Sequence, residues 1–295
     1  SMPCFYVENL TQQSKEIEIS GSEHHHITRV FRYKPGKEIF LKHLAPTTST
    51  PFLLDIDKAE GLYLYSPDGK SYMDLISGVA VSNIGHRHPD VIAAIQEQLE
   101  KHLHVMVYGE FVQSTPNKLA VLLTSLLPDS LNCCYFTNSG TEANEGALKL
   151  AKRVTGRHEL VAFRGAYHGS THGSLSVSGN EKKKAAFRPL LPDVHFLEFN
   201  NPDELDQITT HTAGVIMEVV QGDAGVRIPS NSFIKAVRQR CDEVGALLIF
   251  DEIQTGMGRT GTWFAFEQYD VVPDILTSAK ALGGGLPLGT FISSR

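Results

Sequence analysis

The chain has 295 residues, of which 41% are hydrophobic, 20% charged and 8% aromatic, with 33 acidic against 27 basic side chains and a net charge of −6. This composition excludes a disordered, collagen-like or disulfide-scaffold protein and predicts one large α/β domain or two unequal ones. It also offers no basic field for nucleic acid or an anionic membrane surface.

Cys4, Cys133, Cys134 and Cys241 are too few and too poorly spaced for a disulfide framework. No apolar run reaches the ~18 residues of a membrane span. No basic stretch followed by an apolar one marks a secretory signal, so the expected location is the cytoplasm. The histidine runs His24-His25-His26 and His86-Arg87-His88 have no carboxylate or cysteine at ligand spacing, and no metal site is expected.

Residues 1–50 are polar and irregular and read as an N-terminal arm. From Gly61 to Asp74, apolar residues alternate around Pro67-Asp68-Gly69, a hairpin signal. The arm and hairpin, residues 1–80, are assigned to a small domain, and residues 81–295 to a large one. Pro89 opens a helix with Val91, Ile95, Leu99 and Leu103 at i, i+4 spacing. Thr115-Pro116 is a second cap-plus-proline start, with Leu119, Leu122, Leu123 and Leu126 as its stripe and Pro128 as its stop.

Strands and helices then alternate. Strands are expected at Cys133–Thr137, Leu160–Phe163, Val215–Val220, Ala246–Phe250 and 274–277. Helices are expected at Thr141–Val154, closed by Gly156, and at Phe233–Val244, with Phe233, Val237, Cys241 and Val244 inward and Gly245 as stop. Such alternation predicts a mostly parallel sheet flanked by helices. The final stretch, Pro287 to Arg295, reads like the inside of another strand.

In an open parallel sheet, ligands gather beyond the carboxyl ends of the strands. Asn138-Ser139-Gly140-Thr141 follows the first of these strands and opens a helix. It can cradle an anion on free N–H groups and hydroxyls, and reads equally well as a capping box of Ser139 with Glu142. Arg164-Gly165-Ala166-Tyr167-His168-Gly169 places an aromatic between glycines, able to lie over a planar ring. Alone, it is a surface loop. Asp251, after Ala246–Phe250, is a carboxylate that must meet a cation, either a structural Arg or Lys or a protonated ring nitrogen. Lys280 lies between an apolar strand and Gly283-Gly284-Gly285; partial desolvation would make it a nucleophile able to form a Schiff base. Together these groups meet the needs of pyridoxal 5'-phosphate, whose protonated ring is an electron sink.

The chain resembles the class III (subgroup II) pyridoxal-phosphate aminotransferases, of acetylornithine/ornithine type. The resemblance rests on segments in one order: Gly61–Asp74, Asn83–Pro89, Ser139-Gly-Thr-Glu-Ala-Asn-Glu145, Tyr167-His-Gly169, Asp251-Glu-Ile-Gln-Thr-Gly-Met-Gly-Arg-Thr-Gly261 and Ala279-Lys-Ala-Leu-Gly-Gly-Gly-Leu-Pro287. It implies the aspartate-aminotransferase-like fold type I, with residues 81–295 as the cofactor-binding domain and the family's small C-terminal domain falling beyond Arg295. It implies a homodimer, a small-molecule amino donor and a keto acid or aldehyde acceptor in ping-pong exchange. Lys280 is then the Schiff-base lysine and proton carrier, and Asp251 the partner of the ring nitrogen. Ser139, Gly140 and Thr141 hold the phosphate, Tyr167 stacks on the ring, and Gln254 reaches the phenolic oxygen. His168 and Glu218 belong to the same cofactor-binding set. Two rivals remain: an aminomutase or racemase on the same fold, and an inactive cofactor-binding fragment.

Departures from the family pattern bear on the substrate. Ser170 stands where acetylornithine and ornithine enzymes carry a carboxylate-gripping arginine, and a hydroxyl cannot make a bidentate clamp. Weak use of dicarboxylate donors is therefore expected. Glu218-Val219 replaces a Glu-Pro pair, Ala281 replaces a glycine, and Asp223 occupies the place of a longer glutamate that gates an arginine from the C-terminal part.

Overall fold

The computed structural model describes residues 35–107 and 109–295. Cys4, His24-His25-His26 and most of the expected N-terminal arm lie outside the described residues. The chain divides into two compact units, one ending at Asp74 and the other spanning Leu75–Arg295.

In the first unit, helix α1 (Pro35–His43) precedes the expected hairpin. Strands β2 (Tyr63–Tyr65) and β3 (Ser71–Met73) pair antiparallel with Leu64 opposite Tyr72. The Gly69 N–H donates to the Ser66 carbonyl to close the turn. A strand the sequence did not announce, β1 (Lys58–Glu60), pairs with the outer side of β2.

The second unit is built on a seven-stranded sheet flanked by helices. Two of its helices depart from the expectation. Helix α2 runs Pro89–Leu99 and stops before Leu103, which is exposed. Helix α3 runs Ser114–Ser125 with Gln113 at its N-cap, so Thr115 lies in its first turn and is no cap. Of its stripe only Leu123 is fully buried; Leu122 faces solvent.

The sheet takes the order β4 (Cys133–Thr137), β10 (Gly289–Ser293), β9 (Ile275–Ser278), β8 (Leu247–Asp251), β7 (Thr212–Glu218), β5 (Glu159–Phe163), β6 (Val194–Leu197). From β9 to β6 every pairing is parallel. β10 runs antiparallel to both of its neighbours. The expected parallel sheet therefore holds except at this strand, which the ending of the sequence announced without its direction. β6 carries no run long enough to have been picked out.

Side chains alternate across the sheet. Val161, Phe163, Val215, Met217, Leu248 and Phe250 point to one face, against Phe233, Val237 and Cys241 of α7 (Asn231–Val244). Leu160, Ala162, Ile216 and Ile249 point to the other, against Ala147, Leu148 and Ala151 of α4 (Gly140–Thr155). With both faces covered, all of β7 is buried, as a central parallel strand requires. Gly156 and Gly245 end α4 and α7 in left-handed caps, at the predicted positions.

Gly289 begins β10 where it passes the end of β4. A Cβ there would run into the Ser139 carbonyl and the Thr137 hydroxyl. Because the obstacle includes backbone, Gly289→Ala is expected to lower the unfolding free energy by about 1–3 kcal/mol, read as a lower urea midpoint at unchanged m. An unshifted midpoint would show that β10 is not pressed on this turn.

Candidate active site

Register alone brings two carboxylates together. Glu218, the last residue of β7, pairs with Asp251 of β8, and Asp251 pairs with Thr277 of β9. Adjacent strands lie about 4.8 Å apart, and Lys280 follows Thr277 by three residues. A cavity of about 480 Å³ opens at this end of the sheet. Ser139, Gly140, Thr141, Tyr167, His168, Glu218, Asp251, Gln254 and Lys280 all line it. The structure thus brings together every residue that the sequence singled out for cofactor chemistry.

Asp251 is 4% exposed. Its Oδ2 accepts from Asn144 Nδ2 at 2.8 Å and from His168 Nδ1 at 2.7 Å, and its Oδ1 accepts from the Ile253 N–H at 3.0 Å. The His168 hydrogen therefore sits on Nδ1, and its buried Nε2 has no partner. Asn144 also donates to the His168 carbonyl and accepts from the Thr277 hydroxyl, so one amide ties α4, β9 and the tyrosine loop to Asp251.

Glu218 accepts from the N–H groups of Tyr167, at 2.8 Å, and Gly222, at 3.2 Å. Burial pushes its carboxyl up to about 7, with Asp251 adding to the rise and His168 opposing it. The Lys280 ammonium is shifted the other way: burial lowers its pKa, while Asp251, Glu218 and Asp223 hold it up in part. Lys280 also has a left-handed backbone, φ 49°, at a cost of about 1–2 kcal/mol that the surrounding turns sustain.

The other end of the cavity is the N-terminus of α4. The Ser139 hydroxyl caps it by accepting from the Glu142 N–H, while Glu142 accepts from the Asn138 N–H and the Ser139 hydroxyl. The first-turn N–H groups of Gly140 and Thr141 have no intrahelical acceptor and carry the positive end of the helix dipole. Cap and anion cradle thus coexist. The Thr141 hydroxyl faces Thr171, whose own hydrogen goes to Glu145. Its proton is therefore spent on Thr171, and what Thr141 can offer an anion is its backbone N–H. Gly169 (φ 128°) lets the tyrosine loop close here, since a Cβ would overlap Thr141.

The sequence reading gave no role to Asn144, Ile253 or Glu252. Asn144 shares its side of α4 with Ala147, Leu148 and Ala151, so an amide inside an apolar stripe was the available signal. Ile253 lines the cavity beside Gly140. Glu252 is fully buried and points away from the cavity residues. It accepts from the N–H groups of Ala265 and Phe266, at 3.0 and 2.8 Å, and from the Thr255 hydroxyl. It pins the 252–266 loop that carries Ile253 and Gln254.

A family model described as aminotransferase class-III matches residues 44–295. Acetylornithine aminotransferase of Halalkalibacterium halodurans is 43% identical over 256 residues, 86% of this chain and 65% of that protein. The LysW-aminoadipate semialdehyde/glutamate semialdehyde transaminase of Sulfolobus acidocaldarius is 45% identical over 238 residues, 80% of this chain and 60% of that protein. Among solved structures, a PLP-bound amine transaminase from an uncultivated Pseudomonas species superposes with a TM-score of 0.79 at 28% identity, covering 86% of this chain and 64% of that one. The chain spans less than two thirds of the length of each.

Burial raises the Glu252 carboxyl from 4.5 to about 7. A raised acid stabilises the fold below its unfolded pKa, and that stability is lost as pH rises through the folded one. Glu252→Gln is therefore expected to lose less unfolding free energy between pH 4.5 and 7 than the parent, by up to about 3 kcal/mol. Urea melts at several pH values measure this, and parallel profiles would refute it.

Proposed function

The chain belongs to the class-III aminotransferase family, and we propose that it carries the cofactor site of a pyridoxal-phosphate-dependent aminotransferase. Its donor in this reading is an acetylornithine-like amino acid or an ω-amine, and its acceptor a keto acid or aldehyde. The observation that carries the reading is the convergence of Lys280 and Asp251 in one cavity whose far end is a helix N-terminus. The residues present fit the cofactor. Free N–H groups suit its phosphate, a buried carboxylate with a spare acceptor oxygen suits its ring N–H, and a partly desolvated amine suits its aldehyde carbon.

In this reading Gly140 and Thr141 bind the phosphate through their N–H groups, with Ser139 holding the helix end open. Tyr167 lies on one face of the ring. Gln254 hydrogen-bonds near the phenolic oxygen, and His168 and Glu218 complete the lining. Asp251 Oδ1 has one protein donor against two on Oδ2, leaving it room for the ring N–H. Bound there, the cofactor supplies an electron sink that lets the donor's nitrogen-bearing carbon lose a proton. Lys280 would hold the cofactor through Nζ, and the same Nζ, when free, would take and return that proton. Its lowered pKa favours the neutral amine that this proton transfer needs.

We read residues 81–295 as the cofactor-binding domain and residues 1–80 as an arm and hairpin of a small domain. A homodimer is supported by apolar side chains left facing solvent, among them Leu103, Val107 and Val112, the last 94% exposed. A second copy would cover them. The unpaired thiols of Cys133, Cys134 and Cys241 suit a reducing cytoplasm.

Added pyridoxal phosphate is expected to give a protein-bound visible band, and borohydride to leave a pyridoxyl mass on the peptide containing Lys280. Persistence of the band in Lys280→Ala would sink the assignment. Asp251→Asn is expected to slow donor conversion by about 100-fold or more while shifting the melting temperature little. Parallel loss of both would make Asp251 a structural residue.

A further inference from the structure

Tyr167 is the residue proposed to lie on the cofactor ring, yet the contacts of its own ring are open to water. Its hydroxyl is hydrogen-bonded to the exposed Ser170 at 3.2 Å. Lys183, on the short turn α6 (Glu181–Lys184), places its Nζ 4.6 Å from the ring centre, in an ion pair 41% exposed at each end. Contacts so exposed are weak. The ring is placed instead through the backbone of the Tyr167–Thr171 loop.

That backbone is tied down from several sides. The Tyr167 N–H donates to Glu218. The His168 N–H donates to the Ser178 hydroxyl at 3.0 Å, which itself donates to the Ser174 carbonyl at 2.9 Å. A further tie comes from Glu145, on the second turn of α4. Its Oε1 accepts from the Thr171 hydroxyl and, at 3.0 Å, from the Ser174 N–H. Ser174 lies in the first turn of α5 (His172–Val177), whose N-cap residue, Thr171, makes no side-chain cap of its own. A carboxylate from a different helix therefore caps α5. It takes a first-turn N–H that no intrahelical carbonyl reaches.

The chain leaves room for this reach. A Cβ on Gly173 would come within 2.1 Å of Glu145 Oε2. Gly173 does not have a left-handed backbone, so the close approach is what calls for glycine here. The same carboxylate is linked to the other end of the cavity. The Thr171 hydroxyl that it holds accepts from the Thr141 hydroxyl at 2.8 Å, and the Thr171 N–H donates back to Thr141 at 3.3 Å. The Ser174 hydroxyl donates to the Thr141 carbonyl at 2.9 Å. The loop that carries Tyr167 is thereby fixed on the helix turn that forms the anion cradle.

We propose that Glu145 is a positioning residue that holds the Tyr167 loop on the first turn of α4, so that the aromatic face and the anion cradle stand in register for one ligand. Glu145 stands outside the cavity lining and acts through Thr171 and Ser174. Without its carboxylate the start of α5 loses an acceptor for two donors, and the loop is free to carry Tyr167 away from the ring it would cover.

This inference rests on the proposed cofactor site, and its test separates the two. Pyridoxal phosphate binding is followed by the visible band and its circular dichroism in the parent, Glu145→Ala, Tyr167→Ala and the double variant. Each single change is expected to weaken binding about tenfold, and the double variant to bind no more weakly than Tyr167→Ala alone. Glu145→Gln, whose amide oxygen can accept from the same two donors, restores affinity and dichroism. Gly173→Ala keeps the carboxylate but pushes its end aside, and repeats the loss. Without cofactor, hydrogen exchange across residues 167–174 is expected to quicken in Glu145→Ala and not in Glu145→Gln. Additive losses in the double variant, unchanged binding in Glu145→Ala, or unchanged exchange overturn the role of Glu145. Absence of any band in the parent overturns the cofactor site itself, while the exchange result would still report whether Glu145 holds the loop.

Discussion

Three carboxyl groups buried at the ends of two neighbouring strands are the constraint around which this site is organised. Glu218 and Asp251 are forced side by side by the register of β7 and β8, and Glu252 follows Asp251 in the chain. All three are almost wholly out of water. A carboxylate in that position is stable only with donors or with a proton. Asp251 takes the donors: an amide, an imidazole and a backbone N–H. Glu218 and Glu252 are raised to about 7 and share backbone N–H groups with the loops they anchor. The loops around the cavity can be read as the donors that these acids demand.

That arrangement also explains which parts were legible in advance. Continuous apolar runs such as Ala246–Phe250 announce buried strands, because both faces of a parallel sheet are covered. Residues just beyond those runs announce the site, because such sheets open at their carboxyl ends. Asn144 stayed hidden because its partners, Asp251 and Thr277, lie more than a hundred residues away. Glu252 stayed hidden because its neighbour Asp251 accounted for the conspicuous charge. Leu103 and Thr115 were misread for a local reason. Apolar spacing and a cap-like residue cannot tell where a helix ends when the surrounding chain does not bury it.

Chemistry and selectivity are written at different distances in this chain. Glu218 and Asp251 sit on strand ends and Gly140 and Thr141 on the first turn of a long helix, which rigid packing fixes. Tyr167, Ser170 and Gln254 line the same cavity from loops, and Ser170 is exposed. The similar proteins differ in name: acetylornithine and semialdehyde transaminases on one side, an amine transaminase on the other.

β10 gives the sheet a distinctive order of assembly. β4 meets the rest of the sheet only through β10, and the two strands touch across some 155 residues of chain. Closing so long a loop is entropically slow, and no local contact can substitute for it. Strands β5 to β9 can therefore gather Glu218 and Asp251, and dock α4 against them through Asn144, while β4 is still unpaired. The strand that leads into the anion cradle would then join the sheet after the helix that it precedes.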